Sequence, residues 1–136
     1  MKNTAKIYLF LAILFLASSF KSFTQEKVDD LKMIVENKEK AFIDEGEFIR
    51  VNFMISGLYS GHSVKPYVEQ ALLIPEIKKL NISNIVDQNG QRRGYVLLKK
   101  DSYLSALSTT LNILKVKEID VDNKITDIAG YIEMCK

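Results

Sequence analysis

One octapeptide, Gly57-Leu58-Tyr59-Ser60-Gly61-His62-Ser63-Val64, constrains this chain more than any other stretch. Before it, Ile49, Val51, Phe53 and Ile55 alternate with Arg50, Asn52 and Ser56, the period-two pattern of a strand buried on one face. After it, Val64, Val68, Ala71 and Leu72 recur at helical spacing. Proline is tolerated only in the first turn of a helix, so Pro66 predicts a start near Ser63, with Ser63 or His62 as cap. Pro75 closes the helix, because the residue before a proline avoids helical geometry. The chain is thus bent from strand into helix within a few residues, and small domains often carry their chemistry at such a bend.

The remainder extends this unit in order. Leu80, Ile82 and Val86 alternate as a second strand. Asp87-Gln88-Asn89-Gly90 is a hairpin turn, since Asn-Gly readily takes the positive φ that tight hairpins need. A third strand runs through Tyr95-Val96-Leu97-Leu98. Asp101 or Ser102 caps a second helix whose buried stripe is Leu104, Leu107, Leu111 and Leu114. Val116, Ile119 and Val121 mark a fourth strand. The order strand, helix, strand, strand, helix, strand predicts an α+β fold of the ferredoxin-like βαββαβ type: a four-stranded antiparallel sheet with two helices on one face. At 136 residues, 47% of them apolar, the chain supports one domain with a modest core. Residues 123–136 form a short C-terminal extension that suits a helix (Ile125, Ile128, Ala129, Ile132) or an added strand (Ile128, Ile132, Met134).

The N-terminus reads differently. Lys2 and Lys6 precede an apolar run from Ile7 to Ala17, followed by Ser18, Ser19, Ser22 and Thr24. Residues 1–24 therefore read as a secretory signal peptide, too short for a comfortable membrane span, with cleavage ahead of Gln25. Thr24 is less usual than alanine at that position, so retention of the segment as a membrane anchor is the alternative. The expected location is exported, periplasmic or secreted, with no membrane contact in the mature form. Residues 25–46 are dense in charge and read as an arm or a short helix, with Val28, Leu31 and Val35 at helical spacing. Met33-Ile34-Val35 also fits a strand. Asp44-Glu45-Gly46 is the turn that opens the predicted domain, residues 47–122.

Removing residues 1–24 takes away Lys2, Lys6 and Lys21 and no acid, leaving 16 basic against 17 acidic side chains, a net charge of −1. That balance lacks the basic footprint of a nucleic-acid binder. Arg92-Arg93 and Lys99-Lys100 are short pairs expected at a solvated turn and strand end. The one cysteine, Cys135, makes no internal disulfide, is expected to be exposed, and as an odd thiol on an exported chain invites an intermolecular bridge and a covalent homodimer. Asn81-Ile82-Ser83 matches a glycosylation sequon but falls inside a predicted strand.

The bend and the helix after it, with Val68-Glu69 and Ala71-Leu72, resemble the metal loop of heavy-metal-associated domains, the modules of copper chaperones and metal-pumping ATPases. Pro75-Glu76-Ile77 is similar to that family's Pro-Gly-Val ahead of its second strand. The resemblance covers roughly residues 47–122 and implies the same ferredoxin-like order. Its ligand positions differ. Ser60 and Ser63 stand where the family places its two cysteines, and Leu58 stands at its methionine, where it is expected to be core. The family holds soft ions through thiolates, whereas a serine hydroxyl is neutral and hard. Two serines do not replace two thiolates, so the implied metal transfer is not expected here.

Several alternatives meet at the loop. His62 is the only histidine and, as a lone imidazole, is a weak candidate ligand. Gly57-Leu58-Tyr59-Ser60-Gly61 displaces its serine by one residue from a Gly-x-Ser-x-Gly elbow, and no acid is placed to orient His62. Catalysis is therefore not expected. Gly57, Ser60, Gly61 and Ser63 ahead of a helix N-terminus compose a weak anion site. The sequence thus points to a binding module without catalytic activity, without cofactor, and with an unknown protein partner met through the open edge or uncovered face of the sheet. The alternative is a metal-trafficking protein using His62 and unidentified donors.

Overall fold

The computed structural model of the chain describes residues 30–136. The expected export segment, 1–24, and the start of the charged arm lie outside the described residues. The fold is α+β, and its single sheet has seven strands among the described residues.

The strand, bend and helix at the centre form as the pattern predicts. β3 (Phe48–Ser56) turns Val51, Phe53 and Ile55 into the core and leaves Arg50, Asn52 and Met54 on the other face. After the bend, the helix Lys65–Leu72 carries Pro66 in its first turn. β4 (Ile77–Ile82) and β5 (Gln91–Lys99) form an antiparallel hairpin. Its turn is held by Asp87, whose Oδ1 accepts from the amides of Asn89 at 2.8 Å and Gln91 at 2.9 Å. A short 3-10 turn, Lys100–Ser102, leads into the helix Tyr103–Ile113 and then β6 (Val116–Val121). Leu107, Leu111 and Leu114 of the expected leucine stripe are fully buried, while Leu104 is only half-buried and lies outside the core cluster.

The sheet itself departs from the four-stranded expectation. Its order is β4-β5-β3-β1-β6-β7, where β1 is Leu31–Val35 and β7 is Lys124–Thr126. The first strand, β1 (Leu31–Val35), lies between β3 and β6, antiparallel to the first and parallel to the second. The sheet is therefore mixed, and the segment expected as a charged arm or helix supplies a central strand. The reason is period-two burial. Leu31, Met33 and Val35 are at most 1% exposed, while Lys32 and Ile34 face away from the core. Lys32, the one charge within the strand, sits on the other face, where it pairs with Asp120 of β6 at 3.6 Å.

Between β1 and β3 the chain makes a single turn of helix, α1 (Lys38–Ala41), capped by Asn37, and a short strand, β2 (Phe42–Asp44). β2 pairs with β3 beyond the point where β1 ends. The C-terminal extension takes both forms that its sequence allows. β7 (Lys124–Thr126) pairs with β6, and a helix, Ile128–Met134, follows with Asp127 as cap. The helices are α2 (Lys65–Leu72), α3 (Tyr103–Ile113) and α4 (Ile128–Met134). They pack side by side on one face, and one continuous apolar cluster joins Ala71, Leu107 and Tyr131 to the inward residues of the strands. Three helices cover the sheet, where two were expected. Among the described residues, the opposite face carries only α1, near one end.

Candidate functional site

At the bend, Gly57 has φ +108°, and a Cβ there would lie 2.9 Å from Leu31 Cδ2, so the loop sits directly against β1. Leu58 is fully buried and Tyr59 is 63% exposed, a core leucine and a loop aromatic as expected. The helix starts at Lys65, two residues later than predicted. Its N-cap is Val64, with no side-chain cap, and neither His62 nor Ser63 takes that role. Ser63 Oγ instead accepts from the Lys65 amide at 3.3 Å, while Ser60 and Gly61 are exposed. Leu72, expected on the buried stripe, is 53% exposed, and the helix is anchored mainly by Ala71.

His62 is turned back into its own loop. The Tyr59 amide donates to His62 Nδ1 at 3.0 Å, and the His62 amide donates to the Tyr59 carbonyl at 3.1 Å. One imidazole nitrogen is thereby committed to the backbone. Among the described residues, no three His, Cys, Asp or Glu side chains converge as a metal-binding group.

The loop is organised by Arg92, a residue assigned from sequence to a solvated pair. It is 1% exposed. Its Nε donates to the Leu58 carbonyl at 2.9 Å, and its Nη2 donates to the carbonyls of Tyr59 and, at 3.2 Å, His62. Nη1 is buried without a partner among the described residues, and no carboxylate there forms an ion pair with Arg92. A buried charge needs compensation, and here three carbonyl dipoles supply it. The guanidinium thus places a built-in cation beneath the loop. The sequence does contain a clue: Arg92, Gly94, Val96 and Leu98 share one parity on β5, and Val96 and Leu98 belong to the core. In the register of the sheet, Arg92 lies opposite buried Ile55.

A second site lies on the face of the sheet away from α2, α3 and α4. Side chains from neighbouring strands form rows there: Ile34, Met54 and Arg93 in one, Asn52, Tyr95 and Asn81 in the next, Arg50, Leu97 and Lys79 in a third. With α1 as one wall, these rows enclose a cleft of about 600 Å³, inside the size range of ligand sites. Its centre is Tyr95. The Arg50 guanidinium stacks 3.8 Å from the ring centroid, and Lys79 Nζ lies 5.7 Å from it. Arg50 is positioned by Asn52, whose Oδ1 accepts from Nε at 3.1 Å, and by Glu45 at 3.8 Å. Gly94, on the core-facing parity of β5, backs the cleft. A Cβ there would stand 2.7 Å from the Phe53 ring and 2.9 Å from the Asn81 carbonyl. The sequence gives the alternation that exposes these side chains but not the register that gathers them.

Cys135 is half-buried against the core and not exposed as expected. Burial pushes its thiol above the ordinary value of 9.0, against the lowering influence of Tyr131 and Lys38. Beside it, Tyr131 is fully buried, with the Cys135 thiol as its hydroxyl's one polar neighbour among the described residues; burial first, and then Cys135, hold the phenol far above its usual 10.0. Lys38 Nζ, nearby, donates to the Met134 carbonyl.

No protein-family model matches the chain, and no curated protein or solved structure matches it either. Among the described residues, no helix is long and apolar enough to cross a membrane.

Proposed function

We propose that this chain is an exported binding module, built like a heavy-metal-associated domain that has given up its metal pair, and that it acts through protein–protein contact on the open face of its sheet. The observation that carries the first half is Arg92. A buried guanidinium on the carbonyls of Leu58, Tyr59 and His62 disfavours a second cation in the same loop. The donor set agrees, since hydroxyls stand at both family ligand positions and one nitrogen of His62 is occupied. The second half rests on the cleft around Tyr95, which no helix but α1 approaches. Neither site offers a nucleophile–base pair, so the reading is a binder and not a catalyst.

Two measurements test it. Purified protein is titrated with Cu(I) against a colorimetric chelator and with Zn(II) by calorimetry, alongside His62→Ala. Weak binding, shared by both proteins, is expected. Tight one-to-one binding abolished in His62→Ala would make the loop a rebuilt metal site and restore the trafficking alternative. In producing cells, a photo-crosslinking residue at Asn52 or Lys79 is compared with one at exposed Ser105 on α3. Protein adducts are expected from the sheet positions and not from the helix position, and the reverse pattern overturns the assignment of the face.

A further inference from the structure

The open face is not evenly charged. The cleft is lined by Arg50 of β3, Arg93 of β5 and Lys40 of α1, with Lys79 of β4 beside Tyr95, whereas among the described residues the only acid lining it is Glu36. Across β1 the sign changes: Glu118 and Asp120 of β6 lie opposite Lys32 and Ile34, and Asp120 holds Lys32. The cations of the cleft are also unequally committed. Arg50 is held by Asn52 and Glu45, but Arg93 and Lys40 are exposed and form no side-chain hydrogen bond or ion pair among the described residues. Two free positive heads thus border a cleft whose floor is Tyr95 and the carboxamides of Asn52 and Asn81.

From these features we infer that the cleft binds an extended acidic peptide segment of the protein partner, an inference that rests on the reading of the open face given above. Asn52 and Asn81 flank Tyr95 in one row across β3, β5 and β4. The Asn81 carboxamide presents a donor and an acceptor together, which matches a peptide group, and Asn52, whose Oδ1 already accepts from Arg50, adds the donor of its amide nitrogen. Tyr95 provides an apolar surface between them. Arg93 and Lys40 then meet carboxylates, for which charge-assisted bonds are strongest. The acidic β6 limits the segment on the far side by repulsion. From β1 to β4 there are three strand-to-strand steps. At about 4.8 Å per step the cleft spans roughly 14 Å, the length of about four extended residues. The site therefore takes a short linear motif and not a folded surface.

The test uses fluorescence anisotropy on purified protein with a labelled, doubly capped hexapeptide of alternating Glu and Val. The matched peptide with Lys in place of Glu, and inorganic phosphate alone, serve as comparators. Saturable binding of the acidic peptide is expected, weakened about tenfold by Arg93→Glu. Lys40→Glu, on a different element, is expected to act in the same direction. Lys124→Glu, exposed on β7 and outside the cleft, is expected to leave it unchanged. Circular dichroism and a thermal melt confirm that each variant is folded. Three results overturn the proposal: no saturable binding, equal binding of the Lys peptide, or equal loss in Lys124→Glu. Displacement by phosphate as readily as by unlabelled acidic peptide also overturns it, in favour of a simple anion site. If the peptide fails while crosslinks still form from Asn52 and Lys79, the partner chemistry is wrong and the face is right. If both fail, the face is wrong.

Discussion

Arg92 reaches across from β5 to the bend, and its Nε donates to the carbonyl of Leu58 at 2.9 Å, joining two segments that lie far apart in sequence. Because Nη2 also serves Tyr59 and His62, one side chain holds three of the loop's carbonyls. Arg92→Ala leaves those carbonyls facing a cavity and is expected to cost about 3 kcal/mol of stability. Arg92→Lys keeps the charge but not the fork, and is expected to recover only part of it. Urea denaturation measures both. A loss for Arg92→Ala below about 0.5 kcal/mol, the size of an ordinary surface change, would mean that the loop holds its shape unaided.

The intercalated first strand makes an unusual boundary prediction. A chain beginning at Glu47 contains every element of the split βαβ order but lacks β1, so β3 and β6 lose the strand that joins them. That chain is expected to be unfolded or molten, with weak near-ultraviolet dichroism. Met33→Ala in the complete protein removes a fully buried side chain from β1 and is expected to cost about 2–5 kcal/mol. A cooperative melt of the chain from Glu47 would show that β1 is an accessory to the sheet.

What the sequence disclosed follows from the range of each interaction. The alternation of Ile49, Val51, Phe53 and Ile55, the Asp87 hairpin and the leucine stripe of α3 are set by neighbours a few residues away, and all are present. β1 is ambiguous in the sequence because its short apolar run sits inside a segment dense in charge, while its partners, Ile55 and Ile119, lie far along the chain. The burial of Arg92 is hidden from the sequence for a related reason. Its burial depends on the pairing of β5 with β3 and on the bend folding over that face, neither of which a local window contains. The cleft around Tyr95 is likewise a product of register, gathered from β3, β5, β4 and α1.

Gly94 links the two faces of the sheet. Its missing Cβ leaves room for the Phe53 ring on the core side, while its strand carries Arg93 and Tyr95 into the cleft. Gly94→Ala is expected to cost about 1–3 kcal/mol through overpacking. Phe53→Leu in the same chain is expected to relieve part of that cost, a coupling that a double-mutant cycle measures. Strict additivity would place the cost of Gly94→Ala in the contact with the Asn81 carbonyl alone.

Tyr131 gives the fold an alkaline limit. Below pH 10 the phenol is neutral in the folded and unfolded chains alike, and its contribution to stability is fully present. Above the ordinary value of 10.0, the unfolded chain releases the proton that burial makes the folded chain keep. The folded state then binds more protons, so stability falls as pH rises. Cys135 acts in the same direction from its ordinary value of 9.0 upward. Tyr131→Phe removes both the titration and a buried hydroxyl whose one polar neighbour among the described residues is the Cys135 thiol. At pH 7 it is expected to be neutral or stabilising, within about 1 kcal/mol, and at pH 11 to melt higher than the parent. A destabilised Tyr131→Phe at pH 7 would reveal a hydrogen bond to that hydroxyl.

The chemistry of Cys135 follows from the same packing. The thiolate is the reactive form of cysteine, and burial between Tyr131 and the core raises this thiol's pKa and restricts access to it. Folded protein is therefore expected to react slowly with a thiol reagent at pH 7 and faster as pH rises past 9, whereas protein in urea reacts at once. On a non-reducing gel, protein oxidised in its folded state is expected to run as a monomer, and a disulfide dimer to appear only after oxidation under denaturing conditions. Lys38, which donates to the carbonyl of Met134, helps to hold the C-terminal helix in place. Lys38→Ala is accordingly expected to speed thiol labelling in the folded protein. A rapid covalent dimer of the folded parent would instead place Cys135 at a true interface between two copies of the chain.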